Sequence, residues 1–188
     1  CRMRHGLYPF CDVLDLPSYS IAKSIFAGVA LMRLEQQFPG VAREKIADYV
    51  PECARAGGWD DVTFEHALDM ATGRYRSPEV FADEYADYAL ELHLVDTHAK
   101  KIRHACNAFP RREAPGIRWI YQTADTYVLG TALNAFVKRR LGSRRDLYDD
   151  VVVQDLWRPL GLSPVTYVTR RTRDAAAQPF TGWGLVLH

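Results

Sequence analysis

Pro17-Ser18-Tyr19-Ser20-Ile21-Ala22-Lys23-Ser24 opens the stretch whose reading decides the fold. Behind it, apolar residues fall at Ile25, Phe26, Val29, Leu31, Met32 and Leu34, a helical rather than alternating spacing. No charge interrupts the segment between Lys23 and Arg33, so the helix is expected to be buried on most sides. Ser18 is placed to cap it, and Phe38-Pro39-Gly40 to end it. Serine at position 20 and lysine at 23 stand one turn apart on the same face. A serine hydroxyl is a poor nucleophile until a neighbour removes its proton. A lysine amine takes that proton when neutral and stabilises the alkoxide when charged. The helix N-terminus adds positive potential, and the Ser20 backbone N–H is a candidate half of an oxyanion hole. With six serines and five lysines in 188 residues, this spacing arises by chance roughly 0.16 times. A capping serine followed by a solvated lysine fits the spacing equally well. The apolar surroundings of Lys23 favour the chemical reading, because an idle charge there is costly.

Outward from this segment the chain reads as a helical body with thin β edges. Leu7–Leu14 is expected to be a strand, Val41–Val50 a short helical or extended piece, and Thr63 the cap of a helix closing near Gly73. Ser77-Pro78-Glu79 carries start signals for a helix to about Leu92, with Phe81, Tyr85, Tyr88 and Leu92 on one stripe. Further helices are expected over 96–109, from Thr123 or Asp125 to Leu141, and over 147–157; Val165–Thr169 and Trp183–Leu187 read as strands.

The composition is globular, 48% apolar and 25% charged, and a net charge of +1 argues against a surface built for nucleic acid. No apolar run approaches the ~20 residues a membrane span needs. The chain starts Cys1-Arg2-Met3-Arg4, which reads as a cut edge. Cys1, Cys11, Cys53 and Cys106 lack metal-type spacing and are expected as free buried thiols, although three pairings are open. His93, Asp96, His98, His104 and Cys106 cluster loosely, but histidines five apart do not share a helix face, so no metal site is assigned. No cofactor is expected. His66 is expected to act as a structural hydrogen-bonder.

Pro17–Ser24 resembles the nucleophile motif of the class C β-lactamase-like serine hydrolases, within the β-lactamase, penicillin-binding-protein and D-alanyl-D-alanine carboxypeptidase superfamily. Thr63–Gly73 resembles that family's helix with a leucine-x-methionine, Ser/Thr-Gly turn, and Pro159-Leu160-Gly161-Leu162 resembles its Pro-Leu-Gly-Met turn. Pro115–Asp125 resembles its Pro-Gly, aromatic, Tyr-x-Asn/Ser region. The similarity runs from about residue 17 to the C-terminus. It implies an α+β, β-lactamase/transpeptidase-like fold, represented mainly by its helical domain with an incomplete sheet over residues 1–188. It implies Ser20 as nucleophile, Lys23 and Tyr121 as shared base and acid, and Thr123 as a substrate-binding residue. A short Tyr-x-Ser/Thr pattern also occurs at Tyr75 and Tyr167; the preceding Pro-Gly and the following helix select Tyr121. Thr123 stands where the β-lactamases proper have the asparagine that contacts the β-lactam amide, which shifts the expected substrate toward other esters or amides. The family's Lys/His-Ser/Thr-Gly strand has no counterpart, since Phe180-Thr181-Gly182 lacks the basic residue. The early strands also look missing, so a further segment or second polypeptide is expected to complete the site. The implied activity is acyl transfer to water, with a small ester, amide or lactam as substrate. A D-alanyl-D-alanine carboxypeptidase or β-lactamase, and a non-catalytic binding protein keeping the fold, are the alternatives.

Overall fold

A computed structural model describes residues 2–7 and 15–187. The expected strand at Leu7–Leu14 therefore lies outside the described residues beyond Leu7. Sheet structure among the described residues is confined to two antiparallel pairs: β1 (Arg2–Met3) with β2 (Gly6–Leu7), and β3 (Leu16–Pro17) with β4 (Val186–Leu187). The second pair stitches the entrance of the nucleophile segment to the far end of the chain. Ser18 prolongs the stitch: its N–H donates to the Leu185 carbonyl at 2.9 Å, and its hydroxyl accepts from the Leu185 N–H at 3.2 Å. It stands at the N-cap position expected from sequence, but its hydroxyl is held by the strand and makes no capping bond.

The helix follows at once. Tyr19–Ile21 form a 3₁₀ turn, Lys23–Gly28 a wider π-helical turn, and Val29–Gln37 an ordinary helix, α1. Ala22, Phe26, Ala27, Ala30, Leu31 and Leu34 are buried, as the apolar spacing requires. Two short helices come next, α2 (Pro51–Ala56) and α3 (Phe64–Leu68). Thr63 caps α3 reciprocally with His66: the His66 N–H donates to the Thr63 hydroxyl and the Thr63 N–H to His66 Nδ1, both at 3.2 Å. This helix ends five residues before Gly73. Gly73 instead takes φ +72° where the 111–114 segment crosses, and a Cβ there would strike the Glu113 carbonyl.

Residues 78–86 form turns, and the helix expected from Ser77 starts only with α4 (Asp87–Leu94). The buried Asp83 carboxylate takes the N–H groups of Arg76 at 2.7 Å and Ser77 at 3.1 Å, which folds the segment back on itself. Helix α5 (His98–Asn107) and the central helix α6 (Thr123–Leu141) follow. From Thr123 to Asn134 every residue of α6 is buried. The helix is enclosed by α3, α5 and the two π-helical segments, Lys23–Gly28 and Leu147–Trp157. Asp146 caps the latter through the N–H groups of Tyr148 and Asp149. Residues 164–167 wind as a 3₁₀ turn rather than a strand, because the Ser163 carbonyl collects both the N–H and the hydroxyl of Thr166.

Cys53 and Cys106 are joined in a disulfide between α2 and α5, which corrects the expectation of free thiols for this pair. Both are fully buried where the two helices touch. The crosslink closes a loop with a sequence separation of 53, which holds α3, α4 and the 78–86 turns. Loop-closure entropy assigns such a link about 4 kcal/mol. Replacing both cysteines by alanine is expected to lower unfolding free energy by roughly 2–4 kcal/mol in denaturant titrations; an unchanged midpoint and slope would rule this role out.

Candidate active site

The Lys23 side chain is buried (6% exposed) and reaches outward to three oxygens from three parts of the chain. Its amine donates to Ser20 Oγ at 3.0 Å, to Thr123 Oγ1 at 2.9 Å and to the Gly182 carbonyl at 3.3 Å. Three acceptors match the three N–H groups of an ammonium. Ser20 itself is exposed, at the bend where the chain leaves β3. Tyr19 beside it holds φ +44°, a left-handed conformation that is rare for a tyrosine and is stored here next to the hydroxyl. Gly182 is needed for the close fit: a Cβ there would lie 2.7 Å from Thr126 Oγ1 and 3.0 Å from Thr123 Cγ2.

The aromatic ring of Tyr121 covers the amine, with Lys23 Nζ 4.8 Å from its centroid. Phe81 and Trp119 pack against Tyr121 at 5.4 and 6.4 Å between ring centroids. Tyr121 thus stands beside Lys23 as expected. Its hydroxyl makes no hydrogen bond to Ser20 among the described residues. Ser20, Lys23 and Thr123 form one connected group, and Tyr121 joins them through its ring.

One carboxylate that sequence reading did not single out completes this group. Glu84 accepts the Thr123 N–H at 2.7 Å through one oxygen and the Thr123 hydroxyl through the other. The Thr123 hydroxyl therefore receives a hydrogen bond from Lys23 and gives its only proton to Glu84. Two consecutive acids grip two consecutive residues, for Asp83 also accepts from the Gln122 side chain at 3.3 Å. The Tyr121 N–H donates to the Val80 carbonyl at 2.9 Å. The 78–86 turns are thus the clamp that sets the entrance of α6. The Gly182 carbonyl is likewise a contact that the sequence reading does not nominate.

Behind the site, Asp125 is fully enclosed in the first turns of α6. Its carboxylate accepts from the Thr72 hydroxyl at 3.0 Å. Burial pushes its pKa up to about 7, against the lowering pull of Thr72 and Arg74. Arg74 is itself depressed to about 10 by burial and is held by the carbonyls of Gly57, Gly58 and Cys106. Among the described residues no group of three or more His, Cys, Asp or Glu side chains stands close enough to hold a metal, and Cys106 lies in the disulfide. Among the described residues no helix is long and apolar enough to cross a membrane.

The helical body that carries Ser20 and Lys23 has a β-lactamase/transpeptidase-like fold. A family model described as Beta-lactamase matches residues 16–178, and the chain belongs to that family. Solved structures share the fold. A D-stereospecific amidohydrolase from a Streptomyces species superposes with TM-score 0.60 at 16% identity, over 92% of this chain and 57% of that one. A putative 6-aminohexanoate-dimer hydrolase from Bacillus anthracis gives 0.65 at 14% identity, over 97% and 46%. A penicillin-binding protein homolog from Caulobacter crescentus gives 0.56 at 18%, over 98% and 55%. The chain thus spans about half the length of these structures. No curated protein matches it.

Asp125 generates a pH test. Below the ordinary aspartate range, both folded and unfolded chains hold its proton. As pH rises from about 3.8 to about 7, the unfolded chain releases the proton while the folded chain keeps it, so stability falls across that window and levels off above it. Asp125→Asn removes this loss, a difference on the order of 4 kcal/mol. The melting-temperature advantage of the variant over the parent is expected to grow from pH 4 to 8. An advantage that stays constant would mean that the buried carboxyl is ionised throughout.

Proposed function

We propose that the protein is a serine hydrolase cleaving an ester or amide through an acyl-enzyme on Ser20, with Lys23 and Tyr121 sharing the base and acid roles. The single observation carrying this reading is the 3.0 Å contact from a buried lysine amine to an exposed serine hydroxyl one turn away. Lys23 acts as a base only after shedding a proton. The Thr123 hydroxyl supplies the route: it takes a proton from the Lys23 ammonium while passing its own to the Glu84 carboxylate. The neutral amine then accepts the Ser20 proton as Oγ bonds to the substrate carbonyl carbon. Collapse of the tetrahedral species expels the leaving group, which takes a proton from the Lys23–Tyr121 pair. Water repeats the sequence on the acyl-enzyme and frees Ser20. No step requires a cofactor.

Thr123 bears on substrate choice. With its proton engaged by Glu84, the hydroxyl has none to offer a β-lactam amide, which supports an esterase or amidase over a β-lactamase or carboxypeptidase. The names of two solved structures, an amidohydrolase and an amide-dimer hydrolase, lean the same way. A non-catalytic binding role gives no reason to keep a strained backbone beside an exposed serine.

Full-length protein treated with a serine-directed fluorophosphonate should gain one adduct, mapped to Ser20 by mass spectrometry, and Ser20→Ala should not. A label elsewhere, or none, overturns the reading. Turnover of a short-chain chromogenic ester should exceed that of a fluorescent penicillin; the reverse order would favour the cell-wall alternative.

Glu84 is a positioning residue in this scheme. Glu84→Gln keeps an acceptor for Thr123 but cannot take its proton. It is expected to lower kcat about 10- to 100-fold with little change in KM, and to shift the acidic limb of the kcat–pH profile. A purely structural role would lower the folded fraction and leave the profile of the remaining activity unmoved.

A further inference from the structure

A second buried lysine has no part in the site above. Lys101, on α5, is 2% exposed, yet it forms no ion pair among the described residues. Its amine donates to the Leu92 carbonyl and lies over the rings of Phe180 and Trp183, 5.1 and 5.7 Å from their centroids. Arg170 places its guanidinium over the same two rings, at 5.9 and 5.3 Å. Arg170 also forms no ion pair among the described residues. Both cations line a small cavity of about 20 Å³, together with His93, Asp96 and Arg173. The only carboxylate on its wall among the described residues, Asp96, faces Arg173 at 3.8 Å. Arg171 is neutralised elsewhere, by Asp146 at 2.8 Å and Asp149 at 2.9 Å.

A buried ammonium beside an exposed guanidinium, with Asp96 as the opposite charge nearby and that carboxylate shared with Arg173, is an expensive arrangement for Lys101. Taking an ammonium out of water costs more than aromatic faces alone give back. The strain registers in Lys101, whose pKa is depressed to about 8 by burial and by Arg170. The ammonium has N–H groups left after the bond to Leu92, so the cavity is lined with donors and short of acceptors.

We propose that the cavity between Lys101, Arg170 and Trp183 is a binding site for a small monoanion, a halide or a single carboxylate group. The volume sets the size: one water-sized sphere needs roughly 10–15 Å³, so the cavity takes a halide or the end of one carboxylate and excludes a group as bulky as a nucleotide phosphate. The charge sets the sign. The aromatic floor restricts approach to one side and lowers the local dielectric, which strengthens both contacts. The site adjoins the catalytic group without overlapping it. Trp183 follows Gly182, whose carbonyl holds Lys23, and the His93 ring packs on Trp183 at 5.0 Å. The inference does not depend on the hydrolase reading, since it uses none of Ser20, Lys23, Tyr121 or Thr123.

Chloride-35 NMR on the full-length protein tests it. The chloride line should broaden in proportion to protein and saturate as chloride is raised at constant ionic strength with a bulky counter-anion. Arg170→Gln, on the exposed side of the cavity, should weaken chloride binding about tenfold while circular dichroism stays unchanged. Lys101→Met should abolish the saturable component; because that residue is buried, Arg170→Gln carries the decision if the Lys101 variant misfolds. Acetate narrows the line again if a carboxylate enters the same cavity. Failure of acetate to compete, with the chloride effect intact, assigns the site to inorganic halide. Absence of saturable broadening in the parent, or broadening unaltered by Arg170→Gln, overturns the proposal. Loss of Ser20 labelling with chloride binding intact would strike the hydrolase reading alone.

Discussion

A buried ammonium must be surrounded by oxygen, and Lys23 draws that oxygen from three places at once. Ser20 comes from its own turn, Thr123 from the head of α6, and Gly182 from the loop that leads into β4. Removing any one of these leaves an N–H unpaired in a place water does not reach freely, a cost of about 1–3 kcal/mol. The fold and the site are therefore one requirement. The β3–β4 stitch brings the chain end beside the nucleophile turn, and the absence of a side chain at position 182 lets the loop close on the amine.

The same requirement explains the irregular winding around Ser20. Ser18 is tied to Leu185 and already takes helical backbone angles, so the chain passes from its extended course into the helix at that residue. Tyr19 absorbs the turn with its positive φ. The helix then opens from a 3₁₀ turn into a π turn before it settles at Val29. Wider turns of this kind are seen where a helix must aim a side chain rather than merely bury one. Here the aimed groups are a lysine pointing inward and a serine pointing outward from the same bend.

What the sequence made legible follows from how local the signals were. The apolar spacing after Ser20 identified a buried helix, and that of Leu129, Leu133, Phe136, Val137 and Leu141 a second helix opening at Thr123 or Asp125, because a side chain every third or fourth position has one simple interpretation. Thr63 was legible as a cap for the same reason. Segments governed by a distant partner were not. Ser77-Pro78-Glu79 carried all the local marks of a helix start, and a carboxylate six residues from Ser77 captured the backbone instead. Phe81 and Tyr85 consequently remain exposed, with Phe81 walling Tyr121 rather than filling a core. The Cys53–Cys106 link, Glu84 and the Gly182 carbonyl all depend on long-range approach. Only the two side chains could have been nominated from sequence, and nothing local ranked Glu84 above the other acids.

The two buried lysines frame the chemistry by contrast. Lys23 is met by three neutral oxygens, and behind the Thr123 hydroxyl stands the carboxylate of Glu84, so its charge has a balancing partner one hydrogen bond removed. That separation matters for reactivity. A carboxylate in direct contact would hold the proton on the amine, whereas a carboxylate reached through a hydroxyl balances the charge and still leaves a path along which the proton moves. Lys101 has no such arrangement, with one carbonyl, two ring faces and a neighbouring arginine. The carboxylate nearest to it on the cavity wall, Asp96, is shared with Arg173. The molecule therefore juxtaposes a cation whose counter-charge stands one hydrogen bond away with one whose counter-charge is shared.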